Sequence, residues 1–274
     1  MTEQELQQKL AFMCRCLMME RLLTDEARDV MRSLSDTEVD GLWVMYRALA
    51  NTRQVAPPDT DFLRVQDEVL QYLIEADGIA GMESFVPALY DEHILLWQGD
   101  ITRCAVDAIV NAANSQLLGC WQPGHLCIDN CIHTFAGVQL REECAQIMQR
   151  QGHDEPTGSA KVTKAYNLPC KNIIHTVGPV VSGRPTDGQR RQLASCYESC
   201  LEAARSCGAK SVAFCCISTG IFGFPQVDAA RIAVDTVRAW LKAHSTTRLD
   251  VVFNVFLDED AKIYQEILEN TEFL

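Results

Sequence analysis

Val212-Ala213-Phe214-Cys215-Cys216-Ile217-Ser218-Thr219-Gly220-Ile221-Phe222-Gly223-Phe224-Pro225 runs from an apolar stretch through a glycine-containing loop into a helix start. A short apolar run ended by a turn signal reads as a strand buried on both faces, here Val212–Ile217. Pro225 suits the first turn of a helix over Pro225–His244. The same grammar repeats on both sides. Strands are expected at His93–Trp97, Ala108–Val110, Ala160–Ala165, Ile173–Val177 and Leu249–Phe256. Helices are expected at Asp129–Gln149, Gly188–Cys207 and Asp258–Asn270. Strands separated by helices of this length need crossover connections, so the class is α/β with a largely parallel sheet covered on both faces.

Upstream the pattern is helical. Leu6, Leu10, Met13 and Leu17 recur at helical spacing. Ser35-Asp36-Thr37-Glu38 reads as a capping box before Val39, Leu42, Trp43, Tyr46 and Leu49. Ala56-Pro57-Pro58 interrupts, and a third helix carries Phe62, Val65, Val69 and Leu73. Residues 1–82 are therefore expected to form a helical extension, acting as a cap or a partner-docking lid, and residues 83–274 the α/β domain.

Composition narrows the function. At 47% apolar and 22% charged over 274 residues, the chain is globular rather than disordered or fibrous. Its net charge of −13 and the lack of any Lys/Arg-rich run argue against a nucleic-acid partner. A small anionic ligand is still open to it through backbone N–H groups. The 13 cysteines are odd in number, and no basic start followed by an apolar block opens the chain. No apolar run reaches the roughly 20 residues that span a bilayer. A reduced, soluble, cytoplasmic protein without a membrane partner is expected.

Ligands of such sheets bind beyond the carboxyl ends of the strands, which singles out four loops. Gln98-Gly99-Asp100-Ile101-Thr102 offers a carboxylate that could accept from an exocyclic amine, or simply cap the following turn. In Asn111-Ala112-Ala113-Asn114-Ser115 the two Asn could meet a sugar hydroxyl or make Asx turns. Gly119-Cys120-Trp121-Gln122-Pro123-Gly124-His125-Leu126-Cys127 sets Cys, His and Cys at C-x4-H-x-C spacing. Two thiolates and an imidazole are zinc donors, and three protein ligands leave one position open. The alternative is that these cysteines are small buried hydrophobes. Cys14, Cys16, Cys131, Cys144, Cys196, Cys200, Cys207, Cys215 and Cys216 read as packing residues, and His133 and His175 as satisfied core histidines. In the fourth loop, Gly220 and Gly223 let the backbone turn N–H groups onto an anion, with the next helix's positive end behind them. That is a diphosphate cradle without lysine, and neither a Walker A nor a G-x-G-x-x-G sequence.

Together these loops resemble a known family. GDIT, IVNAANSQLLG, CIHTFAG, TGSAKVTKAYNLP, NIIHTVGP and ISTGIFGFP are similar to the macrodomain signature, in its order, over residues 90–257. The resemblance implies a three-layer α/β/α fold with a mostly parallel mixed central sheet, preceded here by the helical extension. It implies ADP-ribose as ligand, with Asp100 and Ile101 on the adenine and Ser218, Thr219, Gly220, Ile221, Phe222 and Gly223 around the diphosphate and ribose. Asn111 and Asn114 would approach the distal ribose, with Cys120 beside it. The segment CWQPGHLC replaces the short Gly-rich loop of common hydrolytic macrodomains and resembles the microbial zinc-containing class. In that class Cys120, His125 and Cys127 would hold one Zn²⁺ per chain, and Asp129 stands where other members carry a catalytic Asp.

The resemblance thus implies a zinc-dependent hydrolase that removes mono-ADP-ribose from protein, with Asn111, Asn114 and Asp129 at the reacting centre and the bond an ester to Asp or Glu. In the zinc class the implied substrate is an acyl or lipoyl carrier protein modified by a sirtuin. The competing expectations are a non-catalytic ADP-ribose reader and an O-acetyl-ADP-ribose deacetylase.

Overall fold

The computed structural model describes residues 1–21 and 25–270, so residues 22–24 of the expected extension and 271–274 of the expected α/β domain lie outside the described residues. Four helices open the chain: α1(Glu3–Met19), α2(Asp25–Ser33), α3(Val39–Asn51) and α4(Thr60–Asp77). Strands β1(Val86–Ala88), β2(Asp91–Gln98) and β3(Ala108–Ala112) follow, then α5(Ile128–Ala136) and α6(Val138–Gln151). The rest is β4(Ala160–Lys164), β5(Asn172–Thr176), α7(Asp187–Ser206), β6(Ser211–Phe214), α8(Gln226–Ala243), β7(Asp250–Val255) and α9(Asp258–Glu269).

The strands form one sheet in the order β1-β2-β7-β6-β3-β5-β4. The five inner strands are parallel, while β1 and β4 pair antiparallel at the edges. The sheet is thus mixed and mostly parallel, as expected, inside a three-layer α/β/α arrangement. Every residue from Ala108 to Asn111 in β3 and from Val251 to Val255 in β7 is buried, which only strands covered on both faces require. Helices α7, α8 and α9 pack side by side, and α5 and α6 lie against β3 and β4.

A second apolar cluster sits in the helical layer, where Leu10, Met13, Leu17, Leu42, Tyr46, Phe62, Val69 and Leu70 pack together. Val138 of α6 joins that cluster, whereas Ile74 of α4 belongs to the core around the sheet. The two cores therefore interlock at α4 and α6. Among the described residues, no helix is long and apolar enough to cross a membrane.

Three local expectations need correction. The helix foreseen over Asp129–Gln149 is two helices broken at Gly137, whose φ is +100°. Gln66 of α4 reaches into the break, its Oε1 accepting at 3.0 Å the Val138 N–H that the interruption frees. Ser35 to Glu38 is no capping box: Leu34–Asp36 is a 3₁₀ turn, and Glu38 precedes α3 with no side-chain cap. Capping boxes form instead at Thr2/Glu5 and Thr186/Gln189. Cys207, expected to be a packing residue, is exposed at the end of α7.

Candidate active site

Parallel strands β2, β7, β6, β3 and β5 all end on one side of the sheet, and every loop named above emerges there. Beyond β2, Asp100 caps a 3₁₀ turn, its Oδ1 accepting from Thr102 N at 2.9 Å and Thr102 Oγ1 at 2.7 Å. The cap occupies one carboxylate oxygen. Ile101 next to it is buried.

The loop after β6 turns sharply at Ser218, whose φ is +68°, and closes through Gly223 N to Gly220 O and Phe224 N to Ser218 O, both 3.0 Å. Val181, following β5, donates its N–H to Phe222 O at 2.7 Å and ties the two loops together. Among the described residues, the N–H groups of Gly220, Ile221 and Phe222 make no backbone hydrogen bond, and with Thr219 they sit just before the N-terminus of α8. Free, adjacent amides before a helix start form an anion cradle. The two glycines differ. Gly223 has φ +70° and lies so close to Val181 O that an added Cβ would come within 2.7 Å, whereas a Cβ on Gly220 meets nothing within 4 Å. The backbone therefore requires glycine at 223 only.

At the end of β3, Asn111 is fully buried. Its Nδ2 donates to Asp129 Oδ1 at 2.8 Å and lies 3.1 Å from His175 Nδ1. With Nδ1 accepting, the His175 proton sits on Nε2, 2.9 Å from Thr163 Oγ1. Both amide hydrogens of Asn111 are thereby engaged and its Oδ1 is a buried acceptor with no partner. Asn114 donates to Gly119 O at 3.0 Å and to Asp129 Oδ2 at 3.4 Å, while its Oδ1 closes an Asx turn on Gln116 N. Two carboxamides therefore hold one carboxylate, and that carboxylate lies in the first turn of α5, where the helix dipole favours negative charge. Burial nonetheless dominates and raises the pKa of Asp129 to about 6, against the Asn111 hydrogen bond, which lowers it. Below Asp129, His133 Nε2 lies 3.6 Å from Oδ1, too far for a hydrogen bond, and neither ring nitrogen of His133 has a partner. The expected satisfied core histidine is thus His175 alone, and burial keeps both rings neutral at neutral pH.

Cys120, His125 and Cys127 converge: their donor atoms all lie within 4.8 Å of one another, with Cys120 Sγ 3.6 Å from His125 Nδ1. A tetrahedral zinc at ordinary Zn–S and Zn–N lengths separates a sulfur from a nitrogen donor by about 3.6 Å, so the set fits that ion. Burial, with Cys120 and Asp129 nearby, pushes the Cys127 thiol up to about 12. The protein alone therefore keeps this thiol protonated, and a bound dication would have to draw the proton off.

Comparison with known proteins follows the same lines. A family model described as Macro domain matches residues 110–233. A protein-ADP-ribose hydrolase from Treponema medium is 53% identical over 227 residues, covering 82% of this chain and 87% of the relative. One from Staphylococcus aureus (strain MSSA476) is 47% identical, covering 90% and 97%. Among solved structures, an Oceanobacillus iheyensis macrodomain with ADP superposes with a TM-score of 0.59 at 37% identity, over 64% of this chain and 90% of that one. A Trypanosoma brucei macrodomain in complex with ADP-ribose gives 0.60 at 30% identity, over 92% and 94%.

Proposed function

This chain belongs to the macrodomain family, and we propose that it is a protein-ADP-ribose hydrolase that releases mono-ADP-ribose from a modified protein, with one zinc held by Cys120, His125 and Cys127. The observation that carries the reading is the carboxylate of Asp129, buried, gripped by two carboxamides and two residues from a metal donor. Recognition of ADP-ribose alone needs the adenine contact and the anion cradle. It needs neither the carboxylate nor the converging thiols.

In this reading the free oxygen of Asp100 accepts from the adenine amine beside Ile101, and the amides of residues 219 to 222 hold the diphosphate. The unpartnered Oδ1 of Asn111 takes a ribose hydroxyl, which gives that buried acceptor its hydrogen bond. Asp129, ionised for the most part at neutral pH, orients a water and accepts its proton. When bound, zinc supplies Lewis acidity toward a substrate or water oxygen, softened by the charge of its two thiolates. An ionised Asp129 is a base rather than an acid. That favours a leaving group needing no proton, and the carboxylate of an Asp or Glu ester is such a group. A modified carrier protein in the cytoplasm is the proposed setting.

The test offers the protein two substrates, one mono-ADP-ribosylated on Glu and the other O-acetyl-ADP-ribose, and follows free ADP-ribose with time. Release from the protein adduct, lost in Asp129→Asn, supports the proposal. Tight ADP-ribose binding with no release from either would make the protein a reader.

A further inference from the structure

The loop that carries the three metal donors is held from outside by the helical layer. Between Gly119 and Cys127 the main chain makes one internal hydrogen bond, His125 N to Gln122 O at 3.3 Å. At its end Cys127 O accepts from Cys131 N at 3.0 Å, and its other anchors are side chains from outside the stretch. Arg47 of α3 donates from Nη2 to His125 O at 3.0 Å, and Asn51, one turn on, accepts the Gly124 N–H at 3.0 Å. The Gly124 N–H and the His125 C=O are thus pinned by residues four apart on one face of α3.

The grip is braced a second time. Arg47 Nη2 also reaches Asn130 Oδ1 at 3.2 Å, and Asn51 Nδ2 donates to Thr134 Oγ1 at 2.9 Å. Asn130 and Thr134 are again one turn apart, on α5, and Asn130 donates to Gln122 O at 3.0 Å. Asn51 is only 2% exposed, and Asn130 and Thr134 are fully buried, so water cannot replace these bonds cheaply. Helix α3 is paid back at its own end: Arg141 of α6 donates to Ala50 O and Arg53 O while its Nε holds Leu118 O and its guanidinium stacks 4.2 Å over Trp121.

We propose that α3 is a working part of the active site, with Arg47 and Asn51 as positioning residues that preorganise the Cys120–His125–Cys127 donors. This rests on the metal reading of those donors. Groups that fix the outer side of a metal ligand typically change metal affinity by 10–100-fold when removed. The helical layer is then more than a cover for the α/β domain, because its third helix sets the shape of the metal loop.

The test compares Arg47→Met, Asn51→Ala and the conservative Arg47→Lys with the unaltered protein and with Glu68→Ala, which breaks only the exposed pairs of Glu68 with Lys9 and Arg64. Zinc affinity is read by competition with a chromogenic chelator, the site's shape by the absorption bands of Co²⁺ bound in place of zinc, and loop order by hydrogen exchange at residues 119 to 127 in the metal-free protein. Arg47→Met and Asn51→Ala are expected to lose about 10–100-fold in zinc affinity, to shift the Co²⁺ bands and to speed loop exchange. Arg47→Lys is expected to restore part of each, and Glu68→Ala to change none. Folded variants with unaltered zinc affinity, Co²⁺ bands and loop exchange would overturn the proposal. Should Arg47→Met fail to fold, Asn51→Ala and Arg47→Lys decide it by the same readouts. An unaltered protein that binds neither metal overturns the metal reading, and the exchange data then judge the grip of α3 on the loop by itself.

Discussion

Asn111 Nδ2 lies 2.8 Å from Asp129 Oδ1, so the penultimate residue of β3 grips the first turn of α5 across the strand end. The bond aims the carboxylate, and His175 behind Asn111 aims the amide. In the proposed function reaction falls to this carboxylate and most of the binding to other loops, which would make the two separable by mutation.

Asp129→Asn keeps the shape of the side chain and removes the proton acceptor. Hydrolysis of the protein adduct should fall about 10²–10⁴-fold, the usual contribution of a positioned base. Free ADP-ribose should still bind within about tenfold, since the adenine and diphosphate contacts lie on other loops. Kinetics and calorimetry on one preparation check both.

Asp100→Asn keeps an oxygen to cap Thr102 and removes the second carboxylate oxygen. A charge-assisted hydrogen bond is worth about 1.5–3 kcal/mol, so ADP-ribose affinity should drop by one to two orders of magnitude with no change in melting temperature. Unchanged affinity in calorimetry would remove Asp100 from the adenine site.

Gly220→Val and Gly223→Val should part company. A side chain at 220 meets open space, so the protein should melt normally and bind ADP-ribose poorly because the branch enters the diphosphate's approach. At Gly223 the left-handed backbone alone costs about 1–2 kcal/mol, and the new Cβ also crowds Val181 O. That variant should melt several degrees lower. Thermal melts beside binding curves distinguish the two.

The central strands were legible because an inner parallel strand must be apolar throughout, and Ile109, Val110, Val212 and Val251 to Phe253 carry that demand in the sequence itself. The spacing of Cys120, His125 and Cys127 was legible for the same local reason. What stayed hidden depends on side chains distant in the chain. Gln66, about 70 residues earlier in the chain, accepts the Val138 N–H where the helix breaks at Gly137. Arg47 and Asn51 look like ordinary polar positions of an amphipathic helix until the fold brings the loop onto them, 78 and 73 residues further on. Edge strand β1 has only three residues, one of them Pro87, too few to show a period.

Acid should destabilise the fold through its buried histidines. Burial lowers the pKa of His175 from 6.5 to about 3, so the unfolded chain takes up a proton that the folded one refuses. The contribution is full above about pH 6.5 and is lost as pH falls toward 3, with a slope of up to about 1.4 kcal/mol per pH unit. Asp129, raised from 3.8 to about 6, acts in the opposite sense over that window. His175→Asn offers Asn111 an oxygen in place of Nδ1 and cannot titrate. Denaturant unfolding between pH 7 and 4 should show a shallower loss in this variant than in the unaltered protein.

In the proposed function Cys120, His125 and Cys127 hold a zinc needed for turnover and not for binding. One preparation, measured as purified, after a strong chelator and after zinc is restored, tests it through metal content, ADP-ribose affinity and the rate of release from a Glu-linked protein adduct. The expected results are one zinc per chain, loss of release on chelation with ADP-ribose affinity kept within about tenfold, and recovery with zinc. Full-rate release from the metal-free protein would contradict it.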